Sequence, residues 1–201
     1  MELDVAGLRE RLKRTTPPVF SVYGDEGAGR EPEAVTPAAV LVPVIAHAAG
    51  LTLLLTQRTA HLKAHSGQVA FPGGRAEPSD ASPEFTALRE AQEEIGLDPE
   101  RVEVIARLPD YLTRTGFRVA PVVGLVVPPL ELRPDPNEVE TVFEVPLAFL
   151  LDPRNHVRRT RELMGRTVAY WEMPYEGHYI WGATAGMIVN LYRHLAPDEP
   201  R

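Results

Sequence analysis

The stretch from Gly73 to Leu97, GGRAEPSDASPEFTALREAQEEIGL, most constrains what this chain can fold into. Its second half has the marks of a helix, because Ser82 can cap the N-terminus and Pro83 suits the first helical position. Gly96 suits the left-handed position that follows a last helical turn. The sequence therefore predicts a loop followed by a helix that begins at Pro83 and ends just before Gly96.

The predicted helix has two different faces. At about 100° per residue, its large apolar side chains fall together, and we expect them to form the buried stripe: Phe85, Leu88 and Ile95. Its carboxylates fall on the opposite side: Glu90, Glu93 and Glu94. Clustered carboxylates repel one another, and a hard divalent cation, which takes oxygen ligands, would relieve that repulsion. For the helix taken alone, a solvated acidic face is the alternative.

The residues around this helix resemble the Nudix box, G-x5-E-x7-R-E-U-x-E-E-x-G-U, in which U is apolar. The matching residues are Gly74, Arg89, Glu90, Glu93, Glu94, Gly96 and Leu97. The chain departs from the box at the first acid, because Asp80, not a glutamate, follows Gly74 and five intervening residues, and eight residues instead of seven separate Asp80 from Arg89. Either Glu77 or Asp80 can take the place of the first box glutamate.

A second motif lies directly before the box. The residues from Leu54 to Gly74 read LLTQRTAHLKAHSGQVAFPGG. They resemble L-L-T-x-R-[SA]-x3-R-x3-G-x3-F-P-G-G, the marker of the coenzyme A pyrophosphatase branch of Nudix hydrolases. Lys63 replaces the second arginine, which keeps the charge but loses the planar fork. A substrate with a diphosphate and a further phosphate needs such cationic groups, although scattered surface charges are the alternative. We expect the substrate-binding residues to be Arg58, Lys63, His65, Gly73 and Gly74.

The resemblance implies a metal-dependent hydrolase of a diphosphate linkage. Its cofactor would be Mg²⁺ or Mn²⁺, held by Glu90, Glu94 and Glu93. Arg89 would hold these glutamates in place, and either Glu93 or Glu138 would accept the proton of the attacking water. We prefer Glu138 to Glu140 because the two alternate across a strand and a strand end reaches a cleft more readily. By resemblance, the substrate is coenzyme A or a derivative, which is split into 3′,5′-ADP and 4′-phosphopantetheine or its acyl form.

Three other functions remain open. A Nudix hydrolase of another nucleoside diphosphate derivative, such as ADP-ribose or a nucleotide sugar, would share all of the box. An isomerase of prenyl diphosphates would be expected to bring a catalytic cysteine, and this chain contains none. A non-catalytic nucleotide-binding module would be expected to have lost the carboxylates, which are intact here.

Two downstream features have ordinary structural interpretations. The basic cluster Arg158, Arg159 and Arg161 is typical of a solvated edge strand. His178 and Trp181 are more typical of a core or its rim than of a catalytic site. Neither feature enters the predicted set of site residues.

Length and charge restrict the class of protein and its partners. With 201 residues, 44% of them hydrophobic and 24% charged, the chain is expected to be a soluble domain with a proper core. Its formal net charge of −7 argues against nonspecific binding to nucleic acid or to an anionic membrane. The N-terminus lacks a signal-peptide core, so we expect a cytoplasmic protein. The expected partner is a small diphosphate of the coenzyme A class, and a homodimer is left open.

The order of predicted elements favours an α+β fold, because strands and helices mix without strict βαβ alternation. The resemblance implies a Nudix-type α/β/α sandwich with a mixed β-sheet, in which the box forms loop–helix–loop. We expect an N-terminal helix and extended connection over residues 1–37, the Nudix hydrolase domain over 38–196 and a tail over 197–201. The predicted strands are 39–46, 51–56, 102–108, 119–127, 139–145, 166–173 and 178–181, and the predicted last helix is 183–195.

Overall fold

The computed structural model describes residues 3–14, 35–60, 67–163 and 165–196. Most of the predicted N-terminal connection and the whole of the predicted tail lie outside these ranges, as do the marker residues Lys63 and His65. Within the described ranges, no helix is both long enough and apolar enough to cross a membrane.

The described part of the chain forms four α-helices and eleven strands. The helices are α1 (Val5–Arg14), α2 (Pro83–Ile95), α3 (Leu147–Leu150) and α4 (Gly182–Leu195). The strands are β1 (Thr36–His47), β2 (Gly50–Arg58), β3 (Val69–Ala70), β4 (Gly73–Arg75), β5 (Val102–Arg107), β6 (Tyr111–Leu112), β7 (Phe117–Val126), β8 (Val139–Pro146), β9 (Val157–Leu163), β10 (Arg166–Tyr175) and β11 (His178–Trp181). Short 3₁₀ turns cover Pro99–Arg101 and Pro153–Asn155.

The larger sheet is mixed and centres on β1. This strand pairs in parallel with β7 along ten registered residue pairs, and it pairs antiparallel with β2 near its end. The strand order is β3-β2-β1-β7-β5, with β4 added on β1, β6 on β7 and β8 on β2. Because β4 pairs with the first half of β1, the loop that leads to α2 starts on the central strand.

Helices cover both faces of this sheet. On one face, Ala87, Ala91 and Ile95 of α2 share a buried core with side chains of β1, β2 and β7. On the other face, Leu8 of α1 and Ile188 of α4 belong to a second buried core that also contains residues of α3 and the sheet. The predicted α/β/α sandwich with a mixed sheet is confirmed.

A second, smaller antiparallel sheet shares no strand with the central one but contributes Met173 and Ile180 to the same buried core as α1 and α4. Its strand order is β11-β10-β9, which leaves β9 at an edge. The chain passes from β11 directly into α4 at Gly182, where the backbone takes a positive φ of 62°. The smaller sheet therefore connects an edge strand rich in arginine to the start of the last helix.

The boundaries of α2 are those that the sequence predicts. The hydroxyl oxygen of Ser82 accepts a hydrogen bond from the backbone N–H of Phe85 at 3.3 Å, which caps the first turn. Gly96 ends the helix in the left-handed conformation, with φ 67° and ψ 20°. The capping serine and the terminal glycine therefore fix both ends of the helix.

The predicted faces of α2 are wrong in two places. Phe85 is 52% exposed and does not belong to the buried stripe. Glu94, which we placed on the side opposite the buried stripe, is only 5% exposed. The reason is the small size of Ala87 and Ala91, which lets this side of the helix pack closely on the sheet and takes the neighbouring Glu94 inward. Size, more than hydrophobicity, decides which face of this helix is buried.

Candidate active site

The loop formed by β4 lies directly against the carboxylates of α2. The backbone N–H of Gly73 donates a hydrogen bond to Oε2 of Glu94 at 3.1 Å. A Cβ atom on Gly73, whose φ is +156°, would lie 2.4 Å from the carbonyl oxygen of Ala39. A Cβ atom on Gly74 would lie 2.5 Å from Oε2 of Glu90. Gly73 therefore requires glycine because the backbone of β1 lies against it, whereas at Gly74 an added Cβ would displace the carboxylate of Glu90.

Glu94 is a buried carboxylate with a strongly altered affinity for protons. Burial raises the pKa of Glu94 to about 7, against the opposing effect of the Gly73 N–H and the Arg58 charge. The negative charges of Glu138 and Glu90 raise this pKa further. Burial also raises the pKa of Glu90, while the nearby guanidinium of Arg89 acts in the opposite direction. Glu90, Glu94 and Glu138 thus lie near enough to repel one another.

Arg89 links the loop to the helix carboxylates. Its Nη1 lies 3.0 Å from Oε1 of Glu90 and donates to Oε2 of Glu93 at 2.8 Å. Its Nε and Nη2 donate to the two oxygens of Asp80 at 3.1 Å and 3.0 Å. These hydrogen bonds hold the pKa of Asp80 well below its usual range. Arg89 therefore joins Asp80 of the loop to two carboxylates of α2.

Of the two acids that could replace the first box glutamate, Asp80 is the one in contact with the arginine of the box. The side chain of Asp80 is only 2% exposed, and it also accepts hydrogen bonds from the Thr86 hydroxyl and the Glu77 backbone N–H. The carboxylate of Glu77 accepts only a long bond, of 3.4 Å, from the Ser79 hydroxyl among the contacts described. The extra loop residue is therefore accommodated with Asp80 facing inward.

Arg58 and Glu138 close the site from the sheet side. Arg58, at the end of β2, donates from Nη1 to Oε1 of Glu94 at 3.3 Å, and its Nη2 lies 4.0 Å from Oε2 of Glu138. Glu138 directly precedes β8, and its carbonyl oxygen accepts a hydrogen bond from the Thr59 backbone N–H at 3.0 Å. The end of β2 thus places Glu138 beside the helix carboxylates, as a strand-end position allows.

Among the residues that the structure describes, no group of three or more His, Cys, Asp or Glu side chains is arranged to hold a metal ion. Guanidinium groups contact the carboxylates instead, with Arg89 on Glu90 and Arg58 on Glu94. Even so, neighbouring carboxylates that repel one another are a donor set that suits a hard divalent cation. Glu93, which also contacts Arg89, differs from Glu90 and Glu94 in exposure, since its side chain is 60% exposed.

A cleft of about 590 Å³ opens beside this cluster. It is lined by Val40, Arg58, Gln68, Val69, Ala70, Phe71, Gly73, Arg114, Thr115, Val119, Arg161, Trp181, Gly182, Ala183, Thr184 and Met187. Three arginines and no carboxylate are among these residues. A second cleft, of about 540 Å³, lies at the C-terminal end of α2, and none of the predicted site residues lines it. The cationic cleft is therefore the one that adjoins the predicted chemistry.

Sequence reasoning missed three residues of this cleft: Arg114, Arg161 and Trp181. Arg114 lies between β6 and β7, while Arg161 is on β9 and Trp181 ends β11. Arg161 belongs to a basic cluster that is typical of a solvated edge, and Trp181 was interpreted as a residue of the core or its rim. Their meeting in one cleft depends on tertiary packing that no local pattern carries.

A family model described as the NUDIX domain matches residues 35–166, more than half of the chain. The chain belongs to the Nudix family. An uncharacterized Nudix hydrolase NudL from Citrobacter koseri is 48% identical over 159 residues, which cover 77% of this chain and 80% of that protein. The Escherichia coli K12 protein of the same description is 46% identical over 158 residues, covering 77% of this chain and 80% of its own length.

Solved structures resemble this Nudix chain more distantly. A C. elegans Ap4A hydrolase binary complex matches 55% of this chain and 80% of its own, with 20% identity and a TM-score of 0.48. A likeness of that degree carries no inference about the substrate. Family membership itself makes the protein a Nudix hydrolase, an enzyme that hydrolyses diphosphate linkages of nucleoside diphosphate derivatives. Nudix hydrolases generally use divalent metal ions.

Proposed function

We propose that this Nudix hydrolase cleaves the diphosphate of coenzyme A or one of its derivatives, giving 3′,5′-ADP and 4′-phosphopantetheine or its acyl form. The observation that carries the proposal is the cationic cleft beside Glu94, together with the marker residues that form its wall, Arg58, Phe71 and Gly73 among them. Its volume of about 590 Å³ lies within the range typical of small-molecule sites. Coenzyme A suits such a lining because it carries a third phosphate in addition to its diphosphate.

The carboxylates of the site would hold the cofactor, with Glu90 and Glu94 as principal ligands and Glu93 as a further one. A bound Mg²⁺ or Mn²⁺ supplies charge neutralisation of the diphosphate and makes a neighbouring water more acidic. Arg89 holds Glu90 and Glu93 from the loop side and is itself held by Asp80. The chain's own part is thus to fix the carboxylates in position before the substrate arrives.

Hydrolysis needs a group that takes the proton from the attacking water. The water oxygen forms a bond to one phosphorus, the bridging P–O bond breaks, and the other phosphate leaves with its oxygen. Glu138 is better placed than Glu93 to accept the proton, because Glu93 is paired with Arg89 at 2.8 Å. The nearest cation described for Glu138 is Arg58, at 4.0 Å. We therefore propose Glu138 as the base and keep Glu93 as the alternative.

Binding of the diphosphate falls to residues at the meeting point of β1, β2 and β4. At Gly73 and Gly74 the space of a Cβ is taken by β1 and by the Glu90 carboxylate, and we propose that the backbone of this loop also contacts a phosphate. Arg58 lines the cleft and contacts Glu94, so it can face both the substrate and the carboxylates. Lys63 and His65 remain proposed substrate contacts from the marker, outside the described residues.

One assay tests the proposal directly. Purified protein is incubated with Mg²⁺ or Mn²⁺ and with coenzyme A, acetyl-coenzyme A, ADP-ribose or a nucleotide sugar, and the products are identified by mass. We expect 3′,5′-ADP from coenzyme A, with a kcat/KM higher than for the other diphosphates. Preference for ADP-ribose or a nucleotide sugar would assign the enzyme to another nucleoside diphosphate derivative. Turnover of none would favour a nucleotide-binding module.

Three broader expectations stay predictions alongside this function. The domain limits are expected at 1–37, 38–196 and 197–201. We propose a cytoplasmic location, where coenzyme A derivatives are met, and we leave a homodimer open. Fractionation of the cells and the mass of the protein in solution would test the last two.

A further inference from the structure

We propose that Arg161 binds a second anionic group of the substrate, apart from the diphosphate. This inference rests on the proposed function, under which that group is the 3′-phosphate of coenzyme A. Arg161 belongs neither to the box nor to the marker, and the sequence indicated only a solvated position on an edge strand. Three observations support this assignment: the charge of Arg161, which no carboxylate of the described residues neutralises, the aromatic rings that contact it, and its position in the cleft.

The charge of Arg161 is not neutralised by any carboxylate of the described residues. Its neighbour on the same face of β9, Arg159, shows the contrast. Arg159 donates from Nε to Oε1 of Glu172 at 2.8 Å, and Glu172 is only 7% exposed. The described contacts of Arg161 are with aromatic rings instead. Arg159 thus forms an ion pair within the sheet, while the charge of Arg161 is available to bind a ligand.

Two aromatic rings support the guanidinium of Arg161. Its Cζ atom lies 5.3 Å from the ring centre of Trp181 and 5.6 Å from that of Tyr170. The two rings pack edge to face, with an interplanar angle of 75°. A guanidinium stacked on such rings is restrained in direction while its N–H groups stay available at the edge of the plane. The two rings thus orient the guanidinium of Arg161 without neutralising its charge, as a carboxylate would.

The position of Arg161 places that cation in the substrate cleft. Arg161 and Trp181 line the same cleft as Arg58 and Gly73, which adjoin the carboxylate cluster. Arg58 contacts Glu94 at 3.3 Å, so its charge is partly used within the site. Three arginines and none of the described carboxylates line the cleft, so in a chain whose formal net charge is −7 its described wall is a local region of positive charge. The cleft therefore has Arg58 at the end where the diphosphate is proposed to bind and Arg161 at a second position, where it can bind a further anionic group.

The test compares two substrates that differ by one phosphate. We would measure kcat/KM for coenzyme A and for 3′-dephospho-coenzyme A with the wild type, Arg161→Gln and Arg158→Gln. Arg158 is the matched control, since it lies on the same strand but faces the other side. We expect Arg161→Gln to lower kcat/KM for coenzyme A by about tenfold to a hundredfold, the loss of a charge-assisted contact. The value for the dephospho substrate should change less than about twofold, as should both values for Arg158→Gln.

A binding measurement separates this inference from the proposed function. Calorimetric titration with 3′,5′-ADP and with AMP needs no turnover, so it reports on the second anion even if coenzyme A is not hydrolysed. We expect Arg161→Gln to weaken the binding of 3′,5′-ADP and to leave the binding of AMP unchanged. Arg161→Lys should keep part of the affinity for 3′,5′-ADP. Equal losses for both nucleotides, or for both coenzyme A substrates, would overturn the inference. If the wild type does not cleave coenzyme A but Arg161→Gln still binds 3′,5′-ADP selectively less tightly, only the proposed function is rejected.

Discussion

Arg89 and Asp80 form a paired contact in which both oxygens of one carboxylate accept from one guanidinium, at 3.1 Å and 3.0 Å. Asp80 stands where the box has its first glutamate, on a loop that is one residue longer. A shorter acid on a longer loop thus still reaches the arginine that holds Glu90 and Glu93. This contact is the support on which the proposed metal ligands depend.

We predict that Asp80→Asn lowers kcat/KM by about tenfold to a hundredfold, the usual cost of losing a partner behind a metal ligand. The amide can accept only one of the two hydrogen bonds from Arg89, so the arginine should lose its fixed direction. Glu77→Gln is the matched control, because among the described residues its carboxylate has only a long contact, with Ser79. Steady-state kinetics on both variants checks this, and a larger loss in Glu77→Gln would reverse the assignment of the two acids.

Glu90→Gln and Glu94→Gln should each reduce turnover by more than about a hundredfold while leaving the protein folded. Each change removes a charged ligand, and each also relieves the repulsion that contributes to the raised pKa values of the two glutamates. We therefore expect melting temperatures equal to or above that of the wild type when a chelator is present. Near wild-type activity of either variant at low Mg²⁺ would remove that residue from the ligand set.

Gly73→Ala and Gly74→Ala should fail in different ways. The added methyl group at Gly73 meets the backbone of β1 at 2.4 Å, so we expect a loss of about 1–3 kcal/mol in the free energy of unfolding. At Gly74 the methyl group meets the flexible carboxylate of Glu90 at 2.5 Å, and that side chain can move away. Activity should therefore fall more than stability in Gly74→Ala. Urea unfolding and kinetics on the same preparations separate the two effects.

Arg58→Ala should lower kcat/KM for coenzyme A and for 3′-dephospho-coenzyme A by similar factors. The reason is its contact with Glu94, which places Arg58 at the diphosphate and carboxylate end of the cleft. We expect a loss of about tenfold to a hundredfold on both substrates. If only coenzyme A were affected, Arg58 would instead contact the 3′-phosphate, as its place in the marker also allows.

Acid should destabilise the protein partly through His156. Burial lowers the pKa of His156 below its usual value, and its Nε2 lies 2.7 Å from the carbonyl oxygen of Leu150. The unfolded chain takes up this proton near pH 6.5 and the folded chain only at lower pH, so stability falls as the pH drops through that interval. Thermal melts of wild type and His156→Gln at about pH 8 and about pH 5 check this. The melting temperature of the wild type should fall more on acidification than that of His156→Gln. An equal fall in the two proteins would contradict the prediction.

The parts of the fold that the sequence predicted are those with local signals. Ser82 and Gly96 defined α2, and long apolar runs gave β1, β2 and β7 close to their observed bounds. The short strands β3, β4 and β6 have two or three residues, too few for a period to be read. The bounds of β9 were not predicted, because its charged residues follow no apolar alternation, and only the basic cluster indicated an edge strand there.

The parts of the site that the sequence could not predict depend on packing between distant segments. A helical wheel cannot tell that Ala87 and Ala91 face the sheet while Phe85 faces solvent, because it ranks side chains by hydrophobicity and ignores size. Arg161 lies more than eighty residues after Gly73, and no spacing rule joins them. The box and its marker predicted the chemistry, while the tertiary fold supplied the rest of the cleft.

The two alanines of α2 have a consequence for how this enzyme can be altered. Ala87 and Ala91 are buried between the helix and the sheet, and their methyl groups set the depth at which the helix rests. Every proposed metal ligand on α2 is carried at that depth. A valine at either position would lift the whole row of carboxylates together, away from Arg58 and the loop. Substitutions that never touch the substrate could therefore tune or abolish catalysis, and the core of the domain is in that sense part of the active site.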